Sequence, residues 1–243
     1  MATACGTADA KIARNSCSSY LKLSDAELRF LTVENTGGNT HAIAIYNSSA
    51  SPRLTHVTAN ATGGTSFNYG VYNFSSSSPA MTNVTATGSG GTTNGGVYNW
   101  VSLPTMTNVT ATGSGSGGSY NYGVVTDNSS LTMTNVTATG LGGADNRGVY
   151  NFHSSPTIQN STISASGGTS NYGIYNTATG GTYTVTVNNS QITGSTNTIR
   201  NDTEFTVRVG ASKLDGGAVT GGGTFACVFT YNASHTSLNS TCQ

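Results

Sequence analysis

Side chains able to do acid–base or metal chemistry are few and scattered along these 243 residues. The acids are Asp9, Asp25, Glu27, Glu34, Asp127, Asp145, Asp202, Glu204 and Asp215. Cleavage of a glycosidic bond needs two carboxylates flanking it, and a metal needs several ligands at a regular spacing. None of these acids recurs at a fixed interval. Asp202 and Glu204, with Arg200 and Arg208 beside them, form the densest charged group, and they read as a solvated ion-pair patch. Asp145 and Arg147 fall in a variable turn, where they are expected to pair locally or not at all. Glu34 is expected to be a bland exposed residue. His41, His56, His153 and His235 share no ligand spacing, and the Gly113–Gly118 run "GSGSGG" lacks the lysine of a phosphate loop. We therefore predict no catalytic residue, no metal site and no cofactor.

Nine basic and nine acidic side chains give a net charge of zero. A neutral surface argues against nucleic acid and anionic membranes, which need a basic field. No apolar run approaches the ~20 residues that span a bilayer, and the start of the chain shows no apolar leader segment. Four cysteines sit at the two ends. The expectation is one staple at each end of an extracellular or cell-surface protein, Cys5 with Cys17 and Cys227 with Cys242; unpaired thiols are the alternative. Twelve Tyr and seven Phe, with many Val, Ile and Thr, make the chain β-prone rather than disordered.

The elements that must position these residues follow from internal repetition. "MTNVTATG" occurs at Met81–Gly88, Met106–Gly113 and Met133–Gly140. The last residue of "GVYN" and its variants falls at Asn47, Asn73, Asn99, Thr126, Asn151, Asn176 and Asn201, spacings of 26, 26, 27, 25, 25 and 25 residues. Each coil divides into three short alternating segments. In one coil these are "GVYN" (Val71 inward, Tyr72 outward, Asn73 at a turn), "AMTN" (Met81 inward, Asn83 at a bend) and "VTATG" (Val84 and Ala86 inward, Thr85 and Thr87 outward). Gly-Gly pairs close the third segment, and insertions gather just after them. Val84/Ala86, Val109/Ala111 and Val136/Ala138 become Ser161/Ile163, Ser190/Ile192 and Ser212/Leu214 in later coils. That exchange of large and small residues is what a shared, close-packed interior demands. The bend asparagines Asn83, Asn108, Asn135 and Asn160, with His56 in the same column, should stack amide on amide.

The pattern "GVYN…SSSPxMTNVTATGSGG" resembles the right-handed parallel β-helix repeats of the pectate-lyase-like superfamily, especially its non-catalytic extracellular and fibre-associated members. The resemblance covers about residues 25–216. It implies an all-β fold: a single right-handed parallel β-helix of about seven to eight coils, three short strands per coil, capped at both ends. We expect residues 1–25 to form an N-terminal cap with a short helix near Ala8–Arg14, residues 26–216 the repeats, and residues 217–243 a C-terminal cap. Caps are needed because bare terminal coils expose unpaired strand edges.

Two outward columns are candidate binding surfaces. Tyr46, Tyr72, Tyr98, Tyr150 and Tyr175, with Trp100 two residues after Tyr98, form an aromatic stripe suited to glycans or a second subunit; stacking that only stabilises the coil is the plainer reading. Thr85/Thr87, Thr110/Thr112 and Thr137/Thr139 form a flat Thr-x-Thr array that resembles those of ice-binding proteins, although threonine also simply suits exposed strands. The functional expectation is a non-enzymatic extracellular structural or adhesive rod, self-assembling into a fibre or forming part of one, with self-association or surface glycans as its partners. Ice binding is the alternative, and a carbohydrate-active lyase or hydrolase stands behind it.

Overall fold

A chain whose apolar residues recur every 25–27 positions can hide them by winding, so that each coil shields the next. The computed structural model describes residues 10–14, 21–23, 26–37, 40–117 and 119–243, with side chains described from residue 26 onward. Among these residues there is no helix, and parallel strands stack in a solenoid of about seven turns. One sheet has fourteen strands and the other nine, and every pairing within them is parallel. Register repeats coil by coil: Val71 lies beside Val97, and Val97 beside Val124. Met81, Met106 and Met133 stack likewise, each at most 1% exposed. Identical eight-residue stretches recur because identical neighbours solve one packing problem repeatedly.

The inward and outward assignment of the three segments agrees with burial throughout. Val84, Ala86, Val109, Ala111, Val136 and Ala138 are buried, and Ile163 and Ile192 take over the larger volume later. The segments themselves are joined differently from the expectation of three separate strands. In Arg53–Thr62, Ala80–Ser89 and Thr105–Ser114 the second and third run on as one strand, bent at His56, Asn83 and Asn108 with φ of 54°, 54° and 53°. Further on they separate into pairs such as Thr132–Thr134 and Thr137–Leu141. The reason is the serine column. The Ser161 hydroxyl accepts the Val136 N–H at 3.0 Å, and Ser190 does the same for Ser161, so these amides leave the strand ladder. The serines therefore do more than make room for isoleucine.

The bend column forms the expected amide stack. Asn108 Nδ2 donates to Asn83 Oδ1 at 3.0 Å, Asn135 to Asn108 at 3.0 Å, and His56 Nε2 lies 3.0 Å from Asn83 Nδ2. Asn73, expected at a turn, is instead fully buried within a second ladder. Asn47 donates to Asn73 at 2.7 Å, Asn73 to Asn99 at 2.8 Å, and Asn151 to Asn176 at 2.6 Å. A third buried ladder, unforeseen, runs through Asn94, Asn121, Asn146 and Asn171. It also clamps the Gly-Gly turns: Asn68 Oδ1 accepts from Gly64 N and its Nδ2 donates to Gly64 O, both 2.9 Å. A Cβ on Gly64 would lie 2.5 Å from that Oδ1, so the second glycine serves close approach. The first glycine supplies the turn, at φ 90° for Gly63 and Gly90. Each satisfied buried amide contributes on the order of 1 kcal/mol.

At the ends, Ala10–Arg14 is a strand rather than a helix and pairs with Leu31–Asn35, while Leu21–Leu23 pairs with Ile45–Asn47. Both sheets thus extend into the region expected to be a cap. At the other end Thr224–Val228 adds a last strand. The segment after it folds back, with Tyr231 bridging Lys213 and Ser237. Cys227 and Cys242 form the expected disulfide, their Cα atoms 5.3 Å apart. Closing a loop of this length stabilises by about 3 kcal/mol in the chain-entropy view. Cys5 and Cys17 lie outside the described residues.

Candidate functional site: an aromatic sheet face

The nine-stranded sheet carries more outward aromatics than the sequence pattern revealed. In Phe67–Phe74, Asn68, Val71 and Asn73 point inward, and Phe67, Tyr69, Tyr72 and Phe74 point out. The alternation shifts at Gly70, where a Cβ would meet backbone of the opposite sheet at 2.6 Å. This shift puts two aromatic columns side by side. One is the expected stripe, Tyr46, Tyr72, Tyr98, Tyr150 and Tyr175, with Val125 between Tyr98 and Tyr150. The other places Tyr69, Gly95, Tyr122, Arg147 and Tyr172 in register. Reading "FNYG", "YNYG", "DNRG" and "SNYG" as one aligned motif would have found it. Asp145 and Arg147 therefore sit on a strand of this face, not in the variable turn.

The two halves of the face differ. In the later coils Arg147 lies with its guanidinium carbon 4.3 Å from the ring centroids of both Tyr150 and Tyr175, and 5.5 Å from Tyr122. Asp145 grips it by two bonds, Nε to Oδ1 at 2.8 Å and Nη2 to Oδ2 at 2.9 Å. The pair is mostly buried, with side chains 11% and 20% exposed. Burial disfavours the Arg147 charge, and Asp145 with the surrounding phenols more than restores it. Arg200 stacks on Tyr175 at 5.1 Å.

In the earlier coils the rings enclose an open groove of about 380 Å³, lined among others by His41, Phe67, Tyr72, Tyr98, Trp100 and Asp127. Tyr72 and Tyr98 meet edge to face at 5.2 Å, and Tyr69 packs on Tyr98 at 5.0 Å. Burial pushes the Tyr72 phenol up to about 12 and raises those of Tyr69 and Tyr98 as well, so these phenols stay neutral near pH 7. Asp127 stands in the column that carries Trp100 in the coil before and Phe152 in the coil after. Its Oδ1 accepts from Asn128 at 2.8 Å, and its Oδ2 lies 3.4 Å from the Tyr98 hydroxyl. Partial burial raises its pKa above the ordinary carboxylate value. The ion pairs among the described residues are Glu27–Arg29, Asp145–Arg147 and Lys213–Asp215, so Asp127 has none. One irregular coil creates this environment. Val125, Thr126 and Asp127 replace a ring, an asparagine and a ring, and the interior ladder breaks there, Asn99 donating to Val125 O instead.

The expected ion-pair patch at Asp202 and Glu204 does not form, since Arg200 turns to tyrosine rings and Glu204 accepts from Thr203. No three His, Cys, Asp or Glu among the described residues come together to hold a metal. On the other sheet Thr85, Thr110 and Thr137 stack in register, as do Thr87, Thr112 and Thr139. The first column is exposed and the second half-buried. No helix among the described residues is long and apolar enough to cross a membrane. Compared with known proteins, the sequence matches no family and no curated relative.

Proposed function

We propose that the protein is a non-enzymatic extracellular adhesive rod that binds surface glycans through the aromatic face of its nine-stranded sheet. The observation that carries this reading is the open groove walled by Tyr72, Tyr98 and Trp100. Rigid rings offer amphipathic area with little entropy to lose, and their faces suit the C–H faces of pyranose rings. The groove presents one carboxylate, Asp127, where acid–base hydrolysis uses two, which favours binding over turnover. The Cys227–Cys242 disulfide supports an oxidising, extracellular setting, and the solenoid itself supports kinship with non-catalytic members of the pectate-lyase-like superfamily. The test is retention on glycan-coated surfaces by the parent and by Tyr72→Ser/Trp100→Ser. Retention lost in the variant supports the reading. Equal retention of both, or light scattering that shows the face joining two copies of this chain instead, contradicts it.

Ice binding has its own supporting observation, the in-register Thr85–Thr110–Thr137 and Thr87–Thr112–Thr139 columns. Shaped ice crystals, or a gap between freezing and melting that Thr110→Asp abolishes, would select it.

A further inference from the structure

The groove and the Arg147 cluster are built from the same columns of the same sheet, and comparing them indicates what the groove lacks. In the cluster, tyrosine rings surround a guanidinium that a carboxylate anchors. In the groove, rings surround an open space, and a carboxylate faces it with no cation of its own. Aromatic faces attract cations, the more so when the site is partly desolvated. A carboxylate held in an apolar setting gains most from an opposite charge brought next to it. The groove also runs from the coil of His41 to that of Asp127, three coil steps or roughly 14 Å at ordinary strand spacing. A compact ammonium head group would fill one end of it and leave the other rings bare.

Resting on the glycan-binding reading, we propose that the groove takes an amino sugar within a surface glycan, its ammonium seated against Asp127, Tyr98 and Trp100 while neighbouring sugar rings stack along Tyr72 and Phe67. Asp127 supplies the counter-charge and the rings supply the contact area. The self-filled cluster around Arg147 is closed to such a ligand because the chain has already placed a cation there.

Trp100 is the single tryptophan of the chain and is 40% exposed, so its fluorescence reports the groove directly. The experiment titrates the full chain with a tetramer of glucosamine and, separately, with a tetramer of N-acetylglucosamine, which has the same rings without the charge. The free-amine tetramer is expected to alter Trp100 emission saturably and to bind about tenfold or more tightly than the acetylated one, a typical value for a partly desolvated charge contact. Asp127→Asn, with an unchanged far-ultraviolet circular dichroism spectrum, should bring the two affinities together. Equal affinities in the parent, or a preference that survives in Asp127→Asn, would overturn the proposal while leaving glycan adhesion standing. Silence from both tetramers would overturn it too, and the glycan-coated surface assay then decides adhesion separately. Tighter binding of choline than of glucosamine tetramer would overturn the amino-sugar assignment, as would capture of a lysine peptide in preference to it.

Discussion

In the coils from Asp145 to Arg200 the aromatic face is closed: Arg147 fills the space between Tyr150 and Tyr175, and Asp145 neutralises it from the same strand. In the coils from His41 to Asp127 the same columns stand open, with Tyr69, Tyr72, Tyr98 and Trp100 arranged around about 380 Å³ of accessible space. Departures at Gly95, Val125, Asp127, Asp145 and Arg147 separate the two outcomes. A cation replaces a ring in one column of the later half, and an anion replaces a ring in another column near the middle. A repeat protein can thus open a groove without altering its scaffold, and on the proposed reading that groove is the binding site. The later half shows the filled form of the arrangement, and the earlier half the open form.

The largest difference between the halves should appear when Arg147 is removed. Arg147→Ala leaves the mostly buried Asp145 carboxylate without its bidentate partner and should cost about 3 kcal/mol, a fall in Tm of roughly 8 °C. Thermal unfolding followed by circular dichroism reads it. A fall below about 1 kcal/mol would mean that the cluster is ornamental and that the two halves are equivalent.

How much of this was legible beforehand depends on the period of each feature. The interior was legible because Val71, Met81, Val84 and Ala86 recur with little change, and a core tolerates little change. The bend asparagines were equally visible, and their left-handed backbone at Asn83, Asn108 and Asn135 explains why asparagine is used there. The Asn68–Asn171 ladder is as periodic, but its burial is not legible from sequence, because a buried amide is usually costly and only a partner one coil away makes it favourable. The candidate site was half legible. The Tyr46–Tyr175 stripe lies on one repeated marker, whereas Tyr69, Tyr122 and Tyr172 lie beyond the shift at Gly70, which simple alternation cannot predict. Arg147 and Asp127 are single departures from the pattern, and only register shows that they land among rings.

A second comparison pairs the tyrosines of each half. Tyr150→Ser/Tyr175→Ser should destabilise by about 2–3 kcal/mol, because it removes the rings that surround Arg147. Tyr72→Ser/Trp100→Ser should cost only about 1–2 kcal/mol yet abolish glycan retention. The reverse ranking would exchange the roles assigned to the halves. The distinction can also be engineered. Phe67 and Tyr69 occupy the columns of Asp145 and Arg147, so Phe67→Asp/Tyr69→Arg should rebuild the filled cluster beside Tyr72 and Tyr98. Stability should change by less than about 2 kcal/mol, because a mostly buried pair in good geometry roughly offsets its own desolvation, and glycan binding should fall sharply. Undiminished binding in that variant would show that the groove is not where the ligand sits.

The smallest effect concerns Asp127. Burial raises its pKa in the folded chain, against Tyr98, Asn128 and His153 on the neighbouring strands and turns, with Tyr72 and Tyr150 also facing it. A raised folded pKa means that the protonated form is the better accommodated. Its contribution to stability is present below the unfolded value, about 3.9, and is lost as pH rises through the folded value. Asp127→Asn should therefore raise Tm slightly near pH 7 and leave it unchanged near pH 3. A loss of stability at neutral pH would mean that the carboxylate is held by the fold itself and is not waiting for a cation.

The claim that the aromatic face meets the partner is tested most directly by hydroxyl-radical footprinting of the chain, free and bound to a glycan-coated surface. Trp100, Tyr72 and Phe67 should lose labelling on binding. Leu141, on the threonine-bearing sheet, and Phe229, 87% exposed near the C-terminal end, should keep it. Protection of Leu141 with Trp100 still fully labelled would place the partner on the opposite sheet and contradict the account.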